Sequence, residues 1–164
     1  MASALLSARR NWKVLAIVLV LAVASYFVFT SNSIGSTATL LTESGRHRIS
    51  VEIADTPDTR ATGLMHREEM AQDHGMLFDF GETRPVSMWM KNTLIPLDML
   101  FLRPDGTVAT IARNARPLSL TPIPSGEPVR YVLELNGGAA ARYGVSVDDR
   151  LDHPIIAGPA SESR

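Results

Sequence analysis

The sequence predicts a mainly β domain, an antiparallel sandwich or barrel with two short helices, preceded by one N-terminal hydrophobic helix. Three observations predict it. Short runs with strand-like patterning recur downstream of Arg46, Ile49-Ser50-Val51-Glu52-Ile53 being the cleanest alternation. Turn-forming Pro, Gly and Asp separate them at intervals of about ten residues, as in small all-β folds. A charge-free run from Val14 to Phe29 follows Arg9, Arg10 and Lys13. A small mixed α+β roll is the alternative architecture.

The N-terminal run is about 24 Å long as a helix, at roughly 1.5 Å per residue. A bilayer core is about 30 Å, so the run spans with local thinning or snorkelling. The basic flank keeps the N-terminus cytoplasmic and puts the remainder across the membrane. Residues 1–30 are therefore read as a signal-anchor in the inner membrane, with the domain facing the periplasm or exterior. Ala22-Val23-Ala24 before Ser25 offers the competing reading, a cleaved signal peptide and a secreted domain. Residues 31–38 are small and polar and read as a linker. The folded domain is expected over 39–158, with a tail at 159–164.

Within the domain, Arg46 to Ile53 is the first strand. Asp55-Thr56-Pro57-Asp58 starts a helix, with a capping side chain and Pro in the first turn, and Gly63 stops it. Met76 to Phe80, Val86 to Lys91 and Leu97 to Leu102 are the next three strands. Pro104-Asp105-Gly106 is a turn, and Thr107 to Ala112 follows it as a strand. Arg116 to Pro128 holds four prolines and reads as a long loop. Val129 to Leu135 is a strand, Asn136 caps a short helix through Arg142, and Gly144 ends that helix. A last strand lies around Arg150 to Ile156.

Composition sets bounds. The chain has 164 residues, 45% hydrophobic and 20% charged, with a formal net charge of −1. No Lys/Arg-rich stripe is present, so no nucleic-acid partner is expected. Cysteine is absent, which excludes disulfides, thiolate zinc sites and a Cys nucleophile. No cofactor or metal is expected.

The most informative stretch is Ser87 to Leu102. It sets Trp89, Lys91, Asn92 and Asp98 among large apolar residues. Burying such charges costs several kcal/mol unless they are paired. Parity predicts a hairpin in which Lys91 opposes Asp98, with Trp89 on the same face near Leu100 and Met88 and Met90 on the core side. The functional reading is a pocket wall; the bland reading is an ion pair fixing the hairpin, with Trp89 as core. Glu134, flanked by Leu133 and Leu135, is a paired or tuned acid. With Asp98 it forms a candidate acid/base pair for a hydrolase. Six of the seven methionines lie between Met65 and Met99, near His66 and His74, which raises a Met/His copper module as a further alternative. No G-x-S-x-G triad signature is present.

Several motifs occur in a fixed order: Gly63-Leu64-Met65, Gly75-Met76-Leu77-Phe78, Trp89-Met90-Lys91-Asn92-Thr93, Ile95-Pro96-Leu97-Asp98 and Tyr131-Val132-Leu133-Glu134, then Gly144-Val145 and Asp148-Asp149-Arg150. This set closely resembles the domain of unknown function 192 (DUF192) family over about residues 46 to 156. The resemblance implies a compact β-sandwich-like domain, often exported or anchored, and no established activity. Met88 departs from the aromatic usual there, and the Pro-rich loop lacks the cysteines of many relatives. The leading expectation is a membrane-tethered envelope domain that binds a small molecule, a glycan or a protein. Its candidate ligand-binding residues are Met65, Trp89, Lys91, Asn92, Asp98 and Glu134.

Overall fold

A computed structural model describes residues 36–156. The expected N-terminal signal or anchor and the tail lie outside the described residues. Among the described residues no helix is long and apolar enough to cross a membrane.

The elements in chain order are β1 (Ser36–Thr42), β2 (Gly45–Ala54), helix α1 (Pro57–Thr62), β3 (His74–Met88), β4 (Leu97–Leu102), β5 (Val108–Ala115), β6 (Ile123–Asn136), helix α2 (Ala139–Arg142) and β7 (Arg150–Asp152). All seven strands belong to one curled, half-barrel sheet in the order β5-β4-β6-β3-β2-β1-β7. The mainly β reading with two short helices holds. The purely antiparallel sandwich does not, because β2 and β3 run parallel, Ser50 beside His74 through Ala54 beside Phe78. Parallel neighbours need a crossover, and residues 55–73, carrying α1, supply it.

Several expected boundaries shift. The sheet begins at Ser36, inside the stretch read as linker, and Ser36 to Thr42 pair with Val51 to Gly45. The second and third expected strands are one strand, β3, with register shifts between Asp79 and Ser87. Much of the expected Pro-rich loop is already β6, where Pro124 pairs with Ser87 and Pro128 with Pro85. Only β3 pairs with that part of β6; β4 takes Tyr131 to Asn136. That part of β6 is an edge, the setting in which a sheet tolerates proline.

The predicted hairpin is wrong. β4 pairs with β5 and β6 and never with β3. Lys91 and Asp98 are accordingly not opposed, and Trp89 is exposed rather than packed on buried Leu100. Residues 89–96 instead close the curl, running from the tip of β3 to the root of β4.

Parity within strands was read correctly and sorts two cores. On β4, Leu97, Met99 and Phe101 join a cluster with Met76, Phe78, Met90 and Val132. Leu100 and Leu102 join the other, with Leu40, Ile49, Leu77, Tyr131 and Leu133. Every β4 side chain is buried; each fully buried apolar one contributes about 1.5–3 kcal/mol. Gly75 is fixed by contact: a Cβ there would lie 2.5 Å from the Glu134 carbonyl oxygen.

Candidate functional site

The local chemistry of α1 builds one wall of a cavity. Thr56 and Thr59 form a reciprocal capping box, and Gly63 ends the helix at φ 48. A Cβ on Gly63 would come within 3.2 Å of Phe78, so glycine lets the helix end sit on that ring. The chain then presents Leu64 and Met65. The His66 amide donates to the Asn92 carbonyl at 2.8 Å, and Asn92 Nδ2 donates to Met65 Sδ at 3.8 Å. Asn92 takes φ 54, a left-handed turn that asparagine tolerates.

These contacts enclose a cavity of about 420 Å³ between α1, the middle and tip of β3, and residues 89–93. Leu64, Met65, Phe78, Phe80, Met88 and Trp89 give it apolar surface. Arg60, Arg84 and Lys91 bring positive charge, and Glu134 also lines it. The guanidiniums of Arg60 and Arg84 lie 5.8 and 5.1 Å from the Phe80 ring centre, and Lys91 Nζ lies 5.2 Å from that of Trp89. Arg60 also donates to the carbonyls of Asp55 and Asp79, at 2.6 and 2.8 Å, which fixes its position.

Glu134 sits in register between Met76 on β3 and Met99 on β4. It is only 4% exposed. Among the described residues no hydrogen bond or ion pair reaches its carboxyl group, and burial pushes its pKa up to about 8. The group is therefore protonated at neutral pH and faces the cavity as a hydrogen-bond donor.

Four of the six expected site residues, Met65, Trp89, Lys91 and Glu134, line this cavity. Asn92 braces it from behind through Met65. Asp98 is elsewhere. It pairs in register with Leu135, and successive residues alternate faces, so Asp98 and Glu134 point to opposite sides of the sheet. Asp98 is 1% exposed and accepts hydrogen bonds from the amides of Asn114 (2.7 Å) and Ala140 (2.8 Å). It caps α2, the role the sequence suggested for Asn136. Asn136 Nδ2 instead donates to the carbonyls of Met70 and Ala71. The hydrolase pair built on Asp98 and Glu134 thus has no shared cleft.

Sequence reasoning missed Arg60, Phe78, Phe80 and Arg84. Their signal was a pair of cations near aromatics around Phe80, unreadable without the β2–β3 crossover that brings α1 over β3.

The methionines and histidines do not converge on one point in either groove. Met65 and Met88 line the cavity without a histidine, while Met70 and His74 line a separate open groove. In that groove Glu52 accepts two bonds from Arg67, at 2.7 and 3.1 Å, and faces His74 Nε2 at 2.7 Å. The cluster fastens residues 63–73 to β2. Burial pushes Glu52 up, but the bonds from Arg67 and His74 outweigh it and hold the carboxyl below its ordinary range.

A family model described as "Uncharacterized ACR" (DUF192) matches residues 39–153. The chain belongs to the DUF192 family. It resembles a solved structure from Sinorhizobium meliloti 1021, a proposed transcription regulator, at 60% identity and a TM-score of 0.69, over 71% of this chain and 91% of that one. It also resembles a protein of unknown function from Novosphingobium aromaticivorans DSM 12444 at 40% identity and a TM-score of 0.71, over 73% of this chain and 85% of that one. No curated protein matches the chain. Four of the seven motifs noted in the sequence reach the cavity: Gly63-Leu64-Met65, Phe78, Trp89, Lys91, Thr93 and Glu134 line it.

Proposed function

We propose that this DUF192 domain is a small-molecule binding module whose cavity takes a ligand with an apolar body and an anionic group. The observation that carries the reading is Glu134, a 4% exposed carboxyl group at the cavity wall that has no protein hydrogen bond among the described residues, with Arg60, Arg84 and Lys91 in the same lining. A hydrogen-bonding group that opens only into a cavity is a ready contact for a bound acceptor. The protonated acid offers one hydrogen bond, Phe78, Phe80 and Trp89 offer ring faces, and Arg60, Arg84 and Lys91 offer positive charge. Pockets of this kind, apolar with a few convergent polar groups, are the usual setting for small ligands. Among the described residues Lys91 has no carboxylate partner, which favours an acid over an uncharged glycan. The net charge of −1 gives no electrostatic footprint for nucleic acid. The basic flank and charge-free run at the N-terminus support a tether to the inner membrane with the domain on its outer side.

Thermal unfolding of the chain against matched probes tests the cavity. The panel contains aryl and alkyl carboxylates and phosphate monoesters, each beside its uncharged amide or alcohol. At a hundred times its Kd a ligand stabilises the fold by about 2.7 kcal/mol. Acids are expected to raise Tm more than their neutral partners, and Lys91→Ala and Glu134→Leu to lose the response. Acids that never shift Tm, or shifts that persist in both variants, refute the reading.

A further inference from the structure

The polar groups of the cavity are sorted by depth. Glu134 is 4% exposed and stands on β6, between β3 and β4. Thr93 is the other buried polar residue of the lining, and its hydroxyl donates to the Lys91 carbonyl at 3.3 Å. The cations sit further out: Arg60 is half-buried, and Arg84 and Lys91 are exposed. Phe78 is buried and Trp89 half-exposed, so ring surface is present at both depths. The deep end therefore offers one side-chain donor, the Glu134 carboxyl proton, and the rim offers positive charge.

The charged groups around Glu134 come from each element packed there. Helix α1 brings Arg60, residues 89–96 bring Lys91, and the tip of β3 brings Arg84, which also meets Glu82 at 3.5 Å. The crossover turns Leu64 and Met65 inward, while His66, Glu68 and Glu69 are exposed. The register neighbours on β3 and β4 are Met76 and Met99, and Asp98 points to the other side of the sheet. Along β6, parity puts Arg130 and Asn136 on the Glu134 face. Arg130 is held by Asp79 at 3.1 and 3.2 Å, and Asn136 by the carbonyls of Met70 and Ala71. We infer that the ligand enters with an uncharged acceptor end first, which accepts a hydrogen bond from Glu134, and leaves its anion among the rim cations, an inference that rests on the binding reading above. The fitting class is a carboxylate or phosphate with a carbonyl or ether oxygen at the far end of an apolar body. An anion entering first would set two acids together and leave the cations against its apolar tail. Ionised Glu134 has acceptors only, so an acceptor end is held only while the proton is in place. Burial pushes that pKa up to about 8, so the grip weakens above neutrality.

Calorimetric titration of the full-length chain with two shape-matched anions tests this. 4-Acetylbenzoate carries the acceptor, and 4-isopropylbenzoate has carbon in its place. At pH 6 the acetyl compound is expected to bind about fivefold tighter, the effect of one hydrogen bond. Between pH 6 and pH 9 its affinity is expected to fall about tenfold, as the protonated fraction drops to about a tenth. Glu134→Gln keeps a donor and is expected to remove that pH dependence. Glu134→Leu is expected to remove the preference for the acetyl compound. Equal affinity for the two benzoates at pH 6 refutes the orientation, and an acetyl affinity that stays flat from pH 6 to 9 refutes the part played by the proton. Either result leaves the anion-binding reading standing. A chain that binds neither benzoate at pH 6 overturns both. The comparisons within wild type need no variant to fold.

Discussion

Replacing Glu134 by Gln removes one titration from the folded state, and the size of the effect follows from its surroundings. Its ordinary pKa of 4.5 applies to the unfolded chain, and burial raises it to about 8 in the fold. Below 4.5 both states hold the proton, so the stability this group contributes is fully present there. Above 4.5 the unfolded carboxyl ionises while the folded one does not, and stability falls until the folded group also ionises near 8. The slope is about 1.4 kcal/mol per pH unit. The loss is therefore about 3 kcal/mol at pH 7 and about 5 kcal/mol above pH 8.

Urea unfolding of wild type and Glu134→Gln at pH 5, 6, 7, 8 and 9 reads this directly. Other titrating groups act alike in both proteins and cancel in the difference. The wild type is expected to lose ground to the variant with rising pH, its relative midpoint moving by about 2 M urea for a typical dependence on denaturant. A difference between the two proteins that stays flat from pH 5 to 9 refutes the protonated, desolvated acid. Occupancy of the cavity by an acceptor is expected to favour the protonated form and carry the same dependence to higher pH.

Asp98→Ala leaves the buried amide of Ala140 and the partly buried amide of Asn114 without their acceptor; a loss of about 1–3 kcal/mol is expected in denaturant unfolding, and no measurable loss counts against the capping role. Glu52→Gln is expected to flatten the acid limb below pH 4.5, because the lowered Glu52 pKa contributes stability that is present above its ordinary 4.5 and lost as pH falls through the folded value. Gly75→Ala places a methyl against the Glu134 carbonyl and is expected to lower Tm by several degrees, where an unchanged Tm would show that the strands separate freely. Removing residues 36–38 deletes the pairings of Ser36, Thr37 and Ala38 with β2 and the Ser36–His153 hydrogen bond; a fragment beginning at Thr39 is expected to unfold at lower urea than one beginning at Gly35.

Individual strands were legible because parity is local. The alternation at Ile49, Val51 and Ile53 and the split of β4 into two faces follow from period-two geometry alone. Helix α1 was legible because Thr56, Pro57 and Gly63 each act on neighbouring backbone. Strand partners were not legible. Leu97 to Leu102 lies close in sequence to Val86 to Lys91, so a hairpin was the cheapest closure to expect. The chain instead pairs β4 with β6, more than thirty residues downstream, and uses residues 89–96 as a seam. The site was half legible for the same reason. The residues on the seam and on β6 carried unusual chemistry in their own neighbourhoods, whereas Arg60 and Phe80 matter only because a parallel crossover brings α1 over β3.

Two buried acidic residues one register step apart show how the fold divides its costs. Asp98 faces one core and receives two backbone amides, so its burial is repaid locally and its removal threatens folding. Glu134 faces the other side, between Met76 and Met99, and its own strands give its carboxyl no bond. Leu or Met at that position would fill the same space without the desolvation cost. A sequence selected only for stability has no use for an acid there. The residue that breaks the local rule without local compensation is the one whose compensation must come from outside the fold. The cavity it faces, with Arg60, Arg84, Lys91 and aromatic rings in its lining, is where the proposed ligand would supply that compensation.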